Sequence, residues 1–192
     1  MTDSRDNQTY KTVKIGDQWW MSENLNFKSD SSWVYDNVEE NSQHYGRLYT
    51  WASATQGCPS GWHLPTDEEW MALEVSLGMS EGESEGLYWR GNNDILGSRL
   101  KAPNQGWGDL TGIPSGFNAV AGGFYKQMVI AFAFKKKKFK DAGISATYWT
   151  ATSKSKRTKG DAWYRFVDNE NAGIFRGYIY KLHAYSVRCV KD

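Results

Sequence analysis

The chain has 192 residues, and 23 Lys plus Arg against 22 Asp plus Glu leave a net charge of +1. That length suits one domain with a sizeable buried core, and near-neutrality removes any global pull toward nucleic acid or an anionic membrane. Hydrophobic residues at 40% exclude disorder, while ten Trp, eleven Tyr and nineteen Gly against four Pro predict short strands and shaped loops.

Residues 1–9 are polar and read as a flexible N-terminus before a single domain over 10–192. Tyr10 to Ile15 alternates like a strand, Gly16-Asp17 suits a two-residue hairpin turn, and Gln18 to Met21 is the return strand. Residues 28–44 are rich in Ser, Asp, Asn and Glu and read as a long surface loop. At Thr66, a Glu three residues later predicts a capping box. Asp67 and Glu68 suit the positive end of the helix dipole. Trp70, Leu73 and Leu77 recur at helical spacing and Gly78 is a stop, so a helix is expected over 67–77. A second, shorter helix is expected from Ile95 to Lys101, before Pro103. Beyond Trp107 the chain is glycine-rich, and strands are expected at Met128–Phe134, Tyr148–Thr152, Ala162–Val167, Ile174–Tyr180 and Tyr185–Val190.

The chemistry-bearing residues are sparse. Met128–Phe134, the longest apolar run, is far shorter than the roughly 20 residues of a membrane span, and Met1 to Asp6 lacks an apolar signal-peptide core. Lys135 to Lys138 with Lys140 read as a solvated hairpin tip or a guarded edge strand. Lys154, Lys156, Arg157 and Lys159 read as a basic loop. His44, His63 and His183 lie in separate segments without metal-ligand spacing. No phosphate loop or nucleophile elbow is present, so neither catalytic residues nor a cofactor or metal are expected. His63 reads as a structural histidine near a helix start. Cys58 and Cys189 leave open either a disulfide or two buried free thiols.

Several ordered motifs span almost the whole chain. They are Thr12-Val13-Lys14-Ile15-Gly16 with Trp19-Trp20-Met21, Tyr45-Gly46-Arg47-Leu48-Tyr49, and Cys58-Pro59-Ser60-Gly61-Trp62-His63-Leu64-Pro65 with Glu69-Trp70. Gly116-Phe117-Asn118-Ala119 with Gly122-Gly123, and Ser186 to Asp192, complete them. The set resembles the Fibrobacter succinogenes major paralogous domain family, which is similar to C-type lectins and formylglycine-generating enzymes. The resemblance implies an α+β, C-type-lectin-like fold with two helices, paired terminal strands and a small antiparallel sheet in the second half. It implies a Cys58–Cys189 disulfide, which leaves no thiol pair for formylglycine chemistry. The strings nearest to a lectin's calcium motifs, Ala102-Pro103-Asn104 and Trp107-Gly108-Asp109, lack the oxygen ligands calcium needs, and Asp168 to Asn171 reads as an ordinary acidic turn.

The stretch after Trp163 resembles a variable protein of a diversity-generating retroelement. Its anchors would be Trp163, Tyr164, Arg165, Val167, Arg176, Lys181 and Ser186 to Asp192. Phe166, Asp168, Phe175, Gly177, Tyr178, Ile179, Tyr180, Leu182 and His183 lie between them, and each is reachable by changing adenines of an asparagine codon. With Ile144 and Ser145 they form the expected ligand-binding set, against the alternative that these aromatics are core. The expectation is a monomeric binding protein, extracellular, on a cell surface or on a virion, recognising a macromolecular ligand such as a protein or glycan. Two other readings stay open: a constant surface or lipoprotein domain that binds polysaccharide, and a degenerate formylglycine-type enzyme.

Overall fold

The hairpin expected at the start of the domain forms as β1 (Thr12–Ile15) and β2 (Gln18–Met21), with Ile15 opposite Gln18 across the Gly16-Asp17 turn. The computed structural model describes every residue except 94, 104, 106, 108–112, 131–133 and 155–159, with backbone alone at 128–130 and 134–137. After β2 come β3 (Ser32–Trp33), a 3-10 turn at Tyr35–Asn37, α1 (Asn41–Tyr45), β4 (Leu48–Thr50), α2 (Trp51–Ala54) and β5 (Trp62–His63). Then follow α3 (Asp67–Ser76), α4 (Glu81–Ser84), β6 (Tyr88–Arg90), α5 (Leu96–Leu100), β7 (Gly122–Ile130) and β8 (Phe134–Ala142). The second half ends in β9 (Ser145–Ser153), β10 (Asp161–Asp168), β11 (Ile174–Tyr180), β12 (Ala184–Tyr185) and β13 (Val190–Lys191).

The strands make two sheets. One has the order β1-β2-β13-β5, so Val190 pairs with Trp20 on one side and His63 on the other. The strands near both termini are therefore paired. The other has the order β3-β4-β12-β7-β9-β10-β11-β6, with β8 added along β7. Its pairings are antiparallel except β7 with β9. The architecture is mixed α and β, with short helices and mostly antiparallel sheets. The main core lies between α3, α5 and the two sheets, where Trp20, Trp70, Leu73, Leu96, Phe117, Tyr148 and Ile174 are buried together.

Four expectations need correction. There are five helices among the described residues, not two, because α1, α2 and α4 are turns of four or five residues, too short to show a hydrophobic period. The sheet of the second half is not small: it has nine strands and recruits β3, β4 and β6 from the first half. Residues 28–44 are not one loop, since Trp33 stacks on Tyr125 at 4.8 Å and draws Ser32–Trp33 into the sheet. The single strand expected over Tyr185–Val190 is two short ones, Ala184–Tyr185 and Val190–Lys191, with four residues between them. Residues 1–9 make contacts with the domain. Asp3 is wholly buried and pairs with Arg5 at 2.6 Å, while the Arg5 guanidinium lies over Phe27 and donates to Gly57 O. The run Met128–Phe134 falls on the end of β7 and the start of β8, and residues 131–133 lie outside the described residues. The lysine run sits on β8, which pairs with β7 alone among the described strands.

Helix α3 starts as expected. The Thr66 hydroxyl accepts from Glu69 N, and the Glu69 carboxylate accepts from Thr66 N, closing the capping box. Glu69 also meets His63 Nε2 at 2.9 Å, and Asp192 meets His63 Nδ1 at 2.6 Å. His63 thus ties the start of α3 to the end of β13. Burial pulls its imidazole down, but the bonds to Asp192 and Glu69 outweigh this and hold its pKa above the ordinary value. Cys58 and Cys189 form a disulfide with a Cα–Cα distance of 5.9 Å.

Candidate ligand-binding surface

The sheet that carries the expected ligand-binding residues rests on a buried ionic layer. Arg165 on β10 is wholly buried, and it bonds Glu74 and Asp67 of α3 at 2.6 Å each. Arg176 on β11 reaches Asp67 at 2.5 Å, and Arg90 on β6 reaches Glu74 at 2.6 Å. Three guanidiniums and two carboxylates thereby lock three adjacent strands onto one helix. Burial raises the cost of the Asp67 charge, but Arg176 and Arg165 outweigh it and lower the pKa of the carboxyl. Such a cluster sets geometry more than it adds net stability, because desolvation offsets most of the Coulomb gain.

Strand alternation then sorts the candidates. In the register of β10 with β11, Trp163 faces Tyr178, Arg165 faces Arg176 and Asp161 faces Tyr180. These pairs share the face that meets α3. Beyond Arg176, which meets the first residue of α3, Tyr178 and Tyr180 are 45% and 54% exposed on this face. Lys154 Nζ lies 4.2 Å from the Tyr178 ring and 4.4 Å from the Trp163 ring.

The opposite face takes Phe166 with Phe175, Tyr164 with Gly177, and Ala162 with Ile179. Here Trp89 of β6 packs edge-on to both Phe166 and Phe175, at 5.8 and 5.6 Å. Tyr88 reaches Phe175 at 5.8 Å, and Tyr164 lies tilted against it at the same distance. Phe166, Phe175, Tyr164 and Trp89 are half-buried, a ridged aromatic strip rather than a closed core. Burial pushes the Tyr164 phenol up to about 12, so it stays a neutral donor. Gly177 lies beneath this strip: a Cβ there would sit 2.7 Å from Phe175 Cε1 and 3.2 Å from Tyr164 Cε1. It offers a ligand no side chain and shapes the ring pair above it. Ile179 is half-buried against the second core cluster.

The remaining candidates do not join either group. Asp168 ends β10, and its Oδ1 accepts from Glu170 N, Asn171 N and Asn171 Nδ2, so the turn consumes the carboxylate that a cation would need. The turn is held from behind by buried Lys101, whose Nζ donates to Asn171 O at 2.9 Å and which burial pulls down to about 8. Ile144 is 49% exposed at the turn between β8 and β9, but Ser145 is buried. Leu182 is exposed, while His183 is buried, with Nδ1 accepting from Gln127 N at 3.3 Å. Burial, then the nearby Lys126, lowers the His183 pKa.

Sequence reasoning passed over Tyr88, Trp89, Glu74 and the pairing role of Asp67. Trp89 and Tyr88 follow a glycine in a polar stretch, and only the fold brings them beside β11. Among the described residues no three His, Cys, Asp or Glu side chains gather as a metal site. Asn104, Gly108 and Asp109 of the calcium-like strings, and Lys156, Arg157 and Lys159 of the second basic cluster, lie outside the described residues. No described helix is long and apolar enough to cross a membrane.

Comparison with known proteins gives one finding. The family model of the Fibrobacter succinogenes major domain matches residues 13–191. Searches of curated proteins and of solved structures return no match.

Proposed function

We propose, for a chain that belongs to the Fibrobacter succinogenes major domain family, a non-catalytic ligand-recognition role on a C-type-lectin-like fold. The ligand is a macromolecule at a cell surface, and it is met by the sheet β9–β10–β11–β6. The observation that carries the reading is how side chains divide within β10 and β11. The expected anchors Trp163, Arg165, Val167 and Arg176 are buried, with the anchor Tyr164 half-buried and Gly177 buried among the residues between them. Between them, Phe166, Phe175, Tyr178, Ile179 and Tyr180 are half-buried or exposed. A rigid frame with exchangeable aromatic contacts suits recognition, since rings give large contact area at small entropic cost. The same division supports the finer reading of a diversity-generating retroelement variable protein. The Cys58–Cys189 bridge suits an extracellular, surface or virion setting, where disulfides persist.

Two tests bear on this. A near-copy of the coding stretch after Trp163, rich in asparagine codons and differing only at adenines, should lie close to the gene. Replacing Phe175, Tyr178 and Tyr180 together by Ala should weaken binding of the labelled protein to intact cells and leave its thermal unfolding cooperative. A triple variant that unfolds would make those rings core and end the assignment.

A further inference from the structure

The outer edge of β11 is open along part of its length. Lys181 N donates to Gly160 O at 2.7 Å, continuing the register that pairs Asp161 with Tyr180 and Phe166 with Phe175. Hydrogen-bonded and non-bonded pairs alternate along an antiparallel ladder. Phe175, Gly177 and Ile179 therefore turn their backbone groups toward β10, and Ile174, Arg176, Tyr178 and Tyr180 turn theirs away. On the far side of β10 the bond from Lys154 N to Asp161 O obeys the same parity.

Strand β6 meets the outward row only from Ile174 to Arg176. There the neighbouring chain departs. Tyr88 has φ 68°, a left-handed backbone that is a genuine outlier for a bulky residue, and Arg176 Nη1 holds the carbonyls of Glu85 and Gly86 at 2.5 and 3.2 Å. Beyond that point no described strand pairs with the N–H and C=O of Tyr178 or the N–H of Tyr180. The Tyr180 carbonyl accepts from His183 N at 3.3 Å. The open stretch from Gly177 to Tyr180 holds no proline and no charged side chain, so two usual guards of a strand edge are missing there.

We infer that this edge receives an extended polypeptide segment of a partner protein, added as a strand in line with β6 and carrying a carboxylate beside Lys154. The inference rests on the reading that this sheet carries the ligand, and it names the kind of ligand. A row of backbone donors and acceptors is complemented by another backbone, with side-chain contacts supplying selectivity. The exposed rings of Tyr178 and Tyr180 flank the slot on one face, and Tyr88, 65% exposed, stands where β6 ends. Lys154 makes no ion pair among the described residues; Asp161 lies one strand further in, opposite Tyr180. A second copy of the chain is the poorer occupant. Twofold pairing about Ile179 would set Tyr178 opposite Tyr180 of the other copy, and β11 has no acidic residue to offer Lys154.

The test is amide hydrogen exchange on the isotope-labelled full chain, alone and with two capped peptides of about eight residues. One alternates valine and threonine around a central glutamate; the other has lysine in place of that glutamate. In the free protein the amides of Tyr178 and Tyr180 should exchange fast while those of Gly177 and Ile179 are protected. The glutamate peptide at millimolar concentration should slow Tyr178 and Tyr180 by about tenfold or more, and the lysine peptide should not. The inference is overturned if those two amides are already protected in dilute protein, or if neither peptide slows them. It is overturned also if protection grows with protein concentration alone, which would make a second copy the occupant. Loss of cell binding in the triple alanine variant, with both amides still open in the wild-type complex, would sink the edge proposal and leave the recognition reading standing.

Discussion

Asp67→Asn is the sharpest test of how β10, β11 and β6 are held. The substitution keeps the volume of the side chain and removes one of two carboxylates facing Arg165, Arg176 and Arg90. Arg165 keeps Glu74, but Arg176 keeps only the carbonyls of Glu85 and Gly86 and the Trp163 ring at 4.0 Å. Removing one partner from a buried ionic cluster costs about 3–5 kcal/mol, because the partner charge stays desolvated. A chain of this length loses roughly 2–4 °C of Tm per kcal/mol, so the midpoint should fall by about 6–20 °C. Glu68→Gln is the control: it removes an exposed first-turn acid of α3 and costs about 1 kcal/mol or less through the helix dipole. Urea unfolding of both variants at neutral pH gives the difference. The pH dependence has a definite sign. The Asp67 pKa is lowered in the folded state, so its contribution is present above the unfolded value, near 3.8, and is lost as pH falls through the folded one. Asp67→Asn should therefore be less acid-sensitive than the parent. If the two variants differ by less than about 1 kcal/mol, the cluster is not what holds β10 and β11 to α3.

Replacing both cysteines by serine, or reducing the bridge, should cost about 5 kcal/mol, as the loop-closure model gives for the separation of 131 residues. Urea titrations with and without reductant measure this, and an unchanged midpoint would refute it. Gly97→Ala should destabilise by about 1–3 kcal/mol or more, because a methyl there would overlap the Gly173 carbonyl oxygen; thermal unfolding checks it. The raised His63 pKa makes its bonds to Asp192 and Glu69 worth most below the unfolded value of about 6.5. That contribution should fade as pH rises through the folded pKa. His63→Gln should flatten the pH dependence of stability in that window, and an NMR titration of the imidazole that finds no upward shift would overturn the argument.

How much of this could be read without the fold depends on how local each signal is. Thr66 with Glu69, and Gly16-Asp17 between two alternating runs, act within a few residues, and both do in the structure what their spacing predicts. Ile174–Tyr180 is also bounded correctly as a strand. Asp67 looked fully explained as a first-turn acid, yet its partners lie 98 and 109 residues away. Tyr88 and Trp89 carry no strand signal because β6 is only three residues long. The variable-looking texture of Gly177 to Tyr180 also hid an ordinary alternation. Tyr178 and Tyr180 are exposed on one face and Ile179 is half-buried on the other, and a residue list cannot show which rings share a face without the register to β10.

The position of β13 has a consequence for biosynthesis. Val190 joins Trp20 to His63, Leu25 N donates to Val187 O and Met21 N to Cys189 O, and buried Arg188 bonds Asn24 across 164 residues. Strand β2 therefore has no partner on this side until residue 190 has been made. The outer side of the β1–β2 hairpin stays uncovered while the rest of the domain is made, a period in which chaperones have apolar surface to hold. Because these contacts are so distant in sequence, closure of the first sheet should be a slow and late step of folding. A ribosome-bound chain stopped before Ser186 should resist proteolysis poorly, however complete its other elements.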